Sequence, residues 1–372
     1  MQLAALATVK NRVVLGVPLA FNVRNADQTL LLARGHLLQS QEQLDALMTR
    51  GALVDLAELQ SPREHILKAP RSQLAALWTQ SMDAVAQAIR SSAKAGFTGA
   101  LESATEPVLA LIDRDPDLAI FQVLRQGAAA DTQYGAKRSM HSAITSQLVA
   151  LRMGWAPEDA ERAFKVALTM NISMLELQGQ LSRQNVAPTL EQRQALQTHP
   201  MRSVQMLELA GVTDSAWLQA VLQHHENENG TGYPSGRSDV SDLASLARRA
   251  DVYTAKLSSR SNRDAMAADI AGRQIFMDDP GHPMTAALVK EFGIYPPGCH
   301  VRLASGELAI VVARGKTITT PIVACLSNPR GAPLPQPVRR DTSDRAYAVE
   351  AVVGERSVTV RPTLEQLLAL PA

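Results

Sequence analysis

Apolar and polar positions follow two rhythms along this chain, and the change of rhythm divides it. Residues 12–36 read as β-rich. Val13-Val14-Leu15-Gly16-Val17-Pro18-Leu19 and Phe21-Asn22-Val23 lead to the polar tetrapeptide Asn25-Ala26-Asp27-Gln28, and Thr29-Leu30-Leu31-Leu32-Ala33 follows. Turn-forming residues between two apolar runs predict a hairpin with a longer loop. Ser40 with Gln43 three positions on predicts a short capped helix. Residues 61–130 are Ala/Leu-rich and helical in pattern, broken at Pro70, Gly96 and Pro116. The helical period then dominates from about 131 to 292. Leu218, Val221, Leu222 and His225 are spaced i, i+3, i+4, i+7, which puts His225 at the end of a core-facing stripe. Pro296-Pro297-Gly298 stops the helical pattern. Strands are expected at 300–303 and 308–312 around a Ser305-Gly306 turn, then at 321–326, 347–353 and 357–361, with the Pro-rich stretch 332–337 as a loop. The fold class is therefore mainly α: a helical bundle flanked by small β-rich N-terminal and C-terminal modules. The expected boundaries are 1–60 for the first module, 61–130 for a helical connector, 131–295 for the bundle and 296–372 for the C-terminal β module.

Composition narrows the function. Hydrophobic residues make up 46% of the 372 and aromatics only 4%, so the core must be built mainly from Leu, Ala, Val, Ile and Met. Lys+Arg 37 balance Asp+Glu 36, which argues against a general nucleic-acid binder, since that needs a basic excess to neutralise phosphates. Cys299 and Cys325 form neither a CxxC pair nor a disulfide framework. Lys10, Arg12 and Pro18 interrupt the apolar N-terminus, and no run reaches the length of a membrane span. A cytoplasmic location is expected.

The densest chemistry lies in His224-His225-Glu226-Asn227-Glu228-Asn229-Gly230-Thr231-Gly232-Tyr233-Pro234. Imidazole is the commonest nitrogen ligand for metals, and glycines let the backbone turn tightly beside a ligand. A histidine pair by itself is more often structural than ligating; the glycines and Tyr-Pro in register change that balance.

This segment resembles the HHExxDGxGYP signature of the HD-GYP family, metal-dependent hydrolases of cyclic dinucleotides, chiefly cyclic di-GMP. The resemblance covers about 131–295. It implies metal ligands at His199, in the run from Thr189 to His199-Pro200, and at His224 and His225, with His141 and Asp251 as further matches. It also implies a ligand or partner surface at Gly230, Gly232, Tyr233 and Pro234, with Arg260 and Arg263 toward substrate phosphates. The family's HD dipeptide is absent: Met170 and Asn171 stand in its place, and Ser173 and Met174 replace the Gly and Lys that follow. Asn229 and Thr254 replace acids, and Lys137 a Glu. Without the bridging carboxylate a two-metal mechanism is not supported. The expected protein is a catalytically impaired HD-GYP-like signalling protein (a pseudoenzyme) of bacterial cyclic di-GMP pathways. It would act by protein–protein or nucleotide binding through the GYP surface, with diguanylate cyclase domains or cyclic di-GMP as partners. The alternative is a phosphodiesterase with residual activity from a single metal at His199, His224 and His225. The implied cofactor is one divalent transition metal (zinc, manganese or iron), against the blander option of none.

Overall fold

The computed structural model describes residues 3–59, 61–125, 133–259, 261, 263–358 and 360–371. They fall into two compact units, Met1–Ala69 and Pro70–Ala372.

The first unit holds β1 (Leu3–Ala5), β2 (Val23–Arg24), β3 (Leu30–Leu32), α1 (Gln41–Thr49), β4 (Leu53–Asp55) and α2 (Pro62–Lys68). Its four strands pair antiparallel in the order β1-β4-β2-β3. The hairpin expected around residues 25–28 is β2–β3, and the Asp27 side chain closes its loop by accepting from the Thr29 amide at 2.9 Å. Leu6, Leu19, Phe21, Val23, Leu38, Leu44, Ala52 and Val54 make the core. The run Val13–Leu19 is not the strand its β-branched residues suggest. Gly16 takes a positive φ of 78°, Pro18 has no amide to donate, and only an isolated bridge, Pro18 to Leu37, forms. Ser40 caps α1 by accepting from the Gln43 amide at 3.3 Å. The Gln43 side chain accepts from the Gln39 amide rather than closing back on Ser40.

The second unit opens with α3 (Leu74–Arg90), α4 (Phe97–Arg114) and α5 (Pro116–Leu124), whose ends fall at the Pro70, Gly96 and Pro116 breaks. The bundle continues through α6 (Tyr134–Arg152), α7 (Pro157–Thr169), α8 (Leu175–Arg183), α9 (Leu190–Leu209), α10 (Ser215–Gln223), α11 (Asp242–Leu257), α12 (Ala268–Asp278) and α13 (Pro283–Phe292). At its centre is α6, which packs against α5, α7, α8, α11 and α13. A helix buried all round is usually apolar all round. Here α6 buries Arg138, Ser139, His141, Ser142, Thr145, Ser146 and Gln147 along with its Ala, Ile, Leu and Val. Polar groups in such a place need partners, and that need makes α6 the helix on which the site turns.

The C-terminal strands are β5 (His300–Leu303), β6 (Leu308–Ala313), β7 (Ile322–Ser327), β8 (Pro333–Asp341) and β9 (Val349–Val353), with α14 (Leu364–Leu368) closing the chain. They form one antiparallel sheet in the order β8-β7-β6-β5-β9. The Pro-rich stretch expected as a loop is instead the start of β8. It is an edge strand, where missing amides cost no ladder bond, and the alternation of Pro333, Pro335 and Pro337 keeps them on one side. The strand expected at 357–361 is not found among the described residues of that stretch. Gly354 ends β9, and Glu355–Ser357 closes a 3-10 turn instead. Arg314 ties this sheet to the bundle, pairing with Asp117 of α5 and with Glu291 of α13, which also takes Arg152 of α6. Both cysteines are buried free thiols. No described helix is long and apolar enough to cross a membrane.

Candidate metal centre and GYP loop

Helix α10 ends at Gln223 with His224 as its C-cap, short of the His225 at which its apolar stripe is expected to end. The face of α10 that is fully buried runs Trp217, Ala220, Val221, His224, again i, i+3, i+4, i+7. The stripe is therefore one residue out of the expected phase: His224 is the buried terminus, and His225 turns into the loop.

Three imidazoles converge. The ligand nitrogens of His199 on α9, His224 and His225 all lie within 4.8 Å of one another. Their protonation states follow from the backbone. His199 Nδ1 lies 2.6 Å from the Leu196 carbonyl and His224 Nδ1 lies 2.6 Å from the Val221 carbonyl. A carbonyl only accepts, so both Nδ1 atoms carry the proton and each neutral ring presents a bare Nε2. Those two Nε2 atoms face each other at 3.0 Å. Two lone pairs at that distance repel unless a cation lies between or beside them, so the donor set fits one divalent ion. His199, His224 and His225 would hold it, as three neutral imidazoles with a fourth position open. Burial first, then the neighbouring imidazole charge, pushes His199 and His224 down to about 3 and His225 down to about 4. All three are therefore deprotonated and ready to ligate at neutral pH.

The loop that follows is held against this cluster. Tyr233 stacks on His225 with ring centroids 4.5 Å apart, and its amide donates to the His225 carbonyl at 3.1 Å. Gly232 passes so close that a Cβ there would sit 2.4 Å from Glu226 Cα and 2.5 Å from both the Asn227 amide nitrogen and the His225 carbonyl oxygen. Gly230 takes a φ of 73°, and the Tyr233–Pro234 peptide is cis. Two acids within the motif fix the loop, one buried and one exposed. Glu226 is buried and accepts from the Ser235 and Arg237 amides at 2.7 and 3.1 Å. Glu228 accepts from the Ser245 hydroxyl and the Arg249 guanidinium at 2.6 and 2.9 Å. Burial alone would raise the Tyr233 phenol, and the Asp251 charge adds to that, so it stays protonated.

The other expected residues divide. His141 is buried on α6, and burial with the Arg138 and Lys137 charges lowers it to about 3. Neither His141 nor Asp251 belongs to the convergent ligand group among the described residues. Asp251 is taken by a residue the sequence reading passed over: Arg138 Nη2 donates to Asp251 Oδ1 at 2.5 Å and to the Asp251 carbonyl at 3.3 Å. The signal was available, since Arg138 lies one turn before His141 on the same helical face. Met170 caps α7 and is fully buried. Asn171 is also buried, and its Oδ1 has no hydrogen-bond partner among the described residues. The Ser173 hydroxyl donates to the His199 carbonyl at 3.0 Å and meets the Ser203 hydroxyl at 2.9 Å. Beside them lies a cavity of about 240 Å³, lined by Ser173, Met174, Gln192, His199 and Arg202 among others. Arg263 is exposed and donates to the Ala255 carbonyl. Arg260 lies outside the described residues.

Comparison with known proteins agrees with this geometry. A family model described as an HD domain matches residues 122–273, the segment that carries α6 to α11. A cyclic di-GMP phosphodiesterase of Pseudomonas aeruginosa, PA4108, is 34% identical over 163 residues, covering 41% of this chain and 39% of that protein. The chain thus matches well under half the length of this relative. Bd1817, an HDG"Y"P protein from Bdellovibrio bacteriovorus, shares the fold with a TM-score of 0.50 at 15% identity, over 77% of this chain and 97% of that one. The class is an HD domain. With the GYP loop and histidine cluster in place, this segment is similar to the HD-GYP proteins.

Proposed function

We propose that this protein is a signalling module of cyclic di-GMP pathways that has lost dinuclear phosphodiester hydrolysis and acts by binding through its GYP surface. One observation carries the reading. A GYP loop packs onto a three-histidine cluster through Tyr233, while Met170 and Asn171 are buried and offer no carboxylate. A neutral amide cannot bridge two divalent ions or offset their charge. The exposed rim of the loop would meet a diguanylate cyclase domain or cyclic di-GMP.

The test is turnover of cyclic di-GMP by the purified protein, prepared without oxygen and supplied with Mn²⁺, Fe²⁺ or Zn²⁺ in turn. The expected result is no multiple turnover, with binding of the nucleotide or of a purified diguanylate cyclase domain that Tyr233→Ala removes. Multiple turnover that His224→Ala abolishes would replace this reading with the second one, a single-metal phosphodiesterase. The convergence of the Nε2 atoms favours that second reading. A bound ion would supply Lewis acidity and activated water.

A further inference from the structure

The pairing of Arg138 with Asp251 bears on what the histidine cluster can hold. Arg138 is 4% exposed and Asp251 has a side-chain exposure of 16%, so the pair is largely withdrawn from water. The carboxylate is engaged through one oxygen: Oδ1 takes Arg138 Nη2 at 2.5 Å and the Ser142 hydroxyl at 3.3 Å. Ser142 in turn meets the Thr254 hydroxyl at 3.0 Å. These groups link α6 to α11 beside the cluster. Asp251 lies within electrostatic reach of all three histidines, and Arg138 within reach of His225. Among the described residues, Asp251 is the acid that pairs with Arg138. A fixed guanidinium repels an incoming divalent ion and holds, through Oδ1, a carboxylate that lies near the ligands.

We infer that Arg138 is an affinity-setting residue of the three-histidine centre, holding Asp251 out of coordination so that the site takes a single divalent ion on imidazoles alone. The inference rests on the reading that the cluster binds metal.

The experiment measures Zn²⁺ and Mn²⁺ affinity by competition with a chromophoric chelator, and bound equivalents by elemental analysis, on the full chain with folding checked by circular dichroism. Wild type is expected to hold one equivalent. Arg138→Met is expected to bind at least tenfold more tightly, Arg138→Lys to behave as wild type, and Arg138→Met/Asp251→Asn to lose the gain. Should Arg138→Met fail to fold without metal, Arg138→Ala, which leaves Asp251 without that partner, carries the same comparison. Unchanged affinity in the neutral variants, or a gain that survives Asp251→Asn, overturns the inference. Metal bound by Arg138→Met but not by wild type overturns the single-ion inference and, with it, the metal-loaded reading of the native site. An ion whose binding survives His224→Ala overturns the three-histidine site and this inference together.

Discussion

Gly232→Ala tests whether the GYP loop is built onto the histidine cluster or merely lies near it. The added Cβ would stand 2.4 Å from Glu226 Cα and 2.5 Å from the Asn227 amide nitrogen and the His225 carbonyl oxygen. All three are backbone atoms, so no rotamer change relieves the clash, and carbon contacts settle near 3.5–4.0 Å. The loop must therefore retreat by about 1 Å. That movement falls on the 3.1 Å bond from the Tyr233 amide to the His225 carbonyl and on the stacked Tyr233 and His225 rings. Overpacking costs about 1–3 kcal/mol and the lost hydrogen bond about 0.5–1.5 kcal/mol, so the native state should lose about 2–4 kcal/mol. The assay is urea unfolding followed by circular dichroism, with Zn²⁺ affinity measured on the same samples. If the loop detaches locally, global stability falls less, but His225 loses its stacking partner and Zn²⁺ affinity falls instead. Gly99→Ala is the control, because nothing lies within 4 Å of its Cβ position and a helical Gly→Ala change is neutral to stabilising. A Gly232→Ala protein within about 0.5 kcal/mol of wild type, and with unchanged Zn²⁺ affinity, would refute the reasoning.

Other consequences follow from buried polar groups. His300 on β5 is buried and pushed down to about 4, by burial first and then by Arg125 and Arg361. Its folded form binds a proton less readily than its unfolded form. Its contribution is therefore complete above about pH 6.5 and is lost as pH falls toward 4, up to about 3 kcal/mol. His300→Phe should flatten the urea-stability profile between pH 7.5 and 4.5 relative to wild type; parallel profiles would count against it. Thr169→Val leaves the buried Trp217 indole, which donates to the Thr169 hydroxyl at 2.9 Å, without a partner. It should cost about 1–3 kcal/mol and change the Trp217 emission. Glu226→Gln weakens the acceptors for two loop amides, and hydrogen exchange at Ser235 and Arg237 should quicken at least tenfold while α6 amides stay protected.

Much of the site was legible because its residues recur in order. His199-Pro200, His224-His225 and Gly230-Thr231-Gly232-Tyr233-Pro234 are local strings, and the structure brings their histidines together. The helix breaks were legible for the same reason, each being marked by a proline or glycine. What escaped depends on long-range partners. Val13–Leu19 has strand composition, but a strand needs a neighbour, and Pro18 with Gly16 denies it one. The prolines of β8 read as loop until the sheet order makes that strand an edge. The phase of α10 was misjudged because Leu218 and Leu222 are apolar but only half-buried, whereas Gln223 and His224 go inside. Arg138 went unnoticed because a lone arginine in a helix is normally solvated, and its partner lies 113 residues away.

Arg138 and the neutral Asn171 also make sense together as a matter of charge. A core tolerates ionised groups only when they balance. Burial alone would raise the Asp251 carboxyl, and the Arg138 guanidinium is the leading influence holding it below its ordinary value. With the Asp251 charge cancelled internally and Asn171 contributing none, the cluster needs no ion to neutralise a carboxylate. Only the opposed Nε2 atoms of His199 and His224 still call for a cation. A second carboxylate at position 171 would reverse this balance. Asn171→Asp alone should destabilise the metal-free protein, because it buries an unpaired charge, and Zn²⁺ should restore the loss more fully than it stabilises wild type. Equal Zn²⁺ stabilisation of both proteins in thermal unfolding would mean that position 171 does not face the cluster.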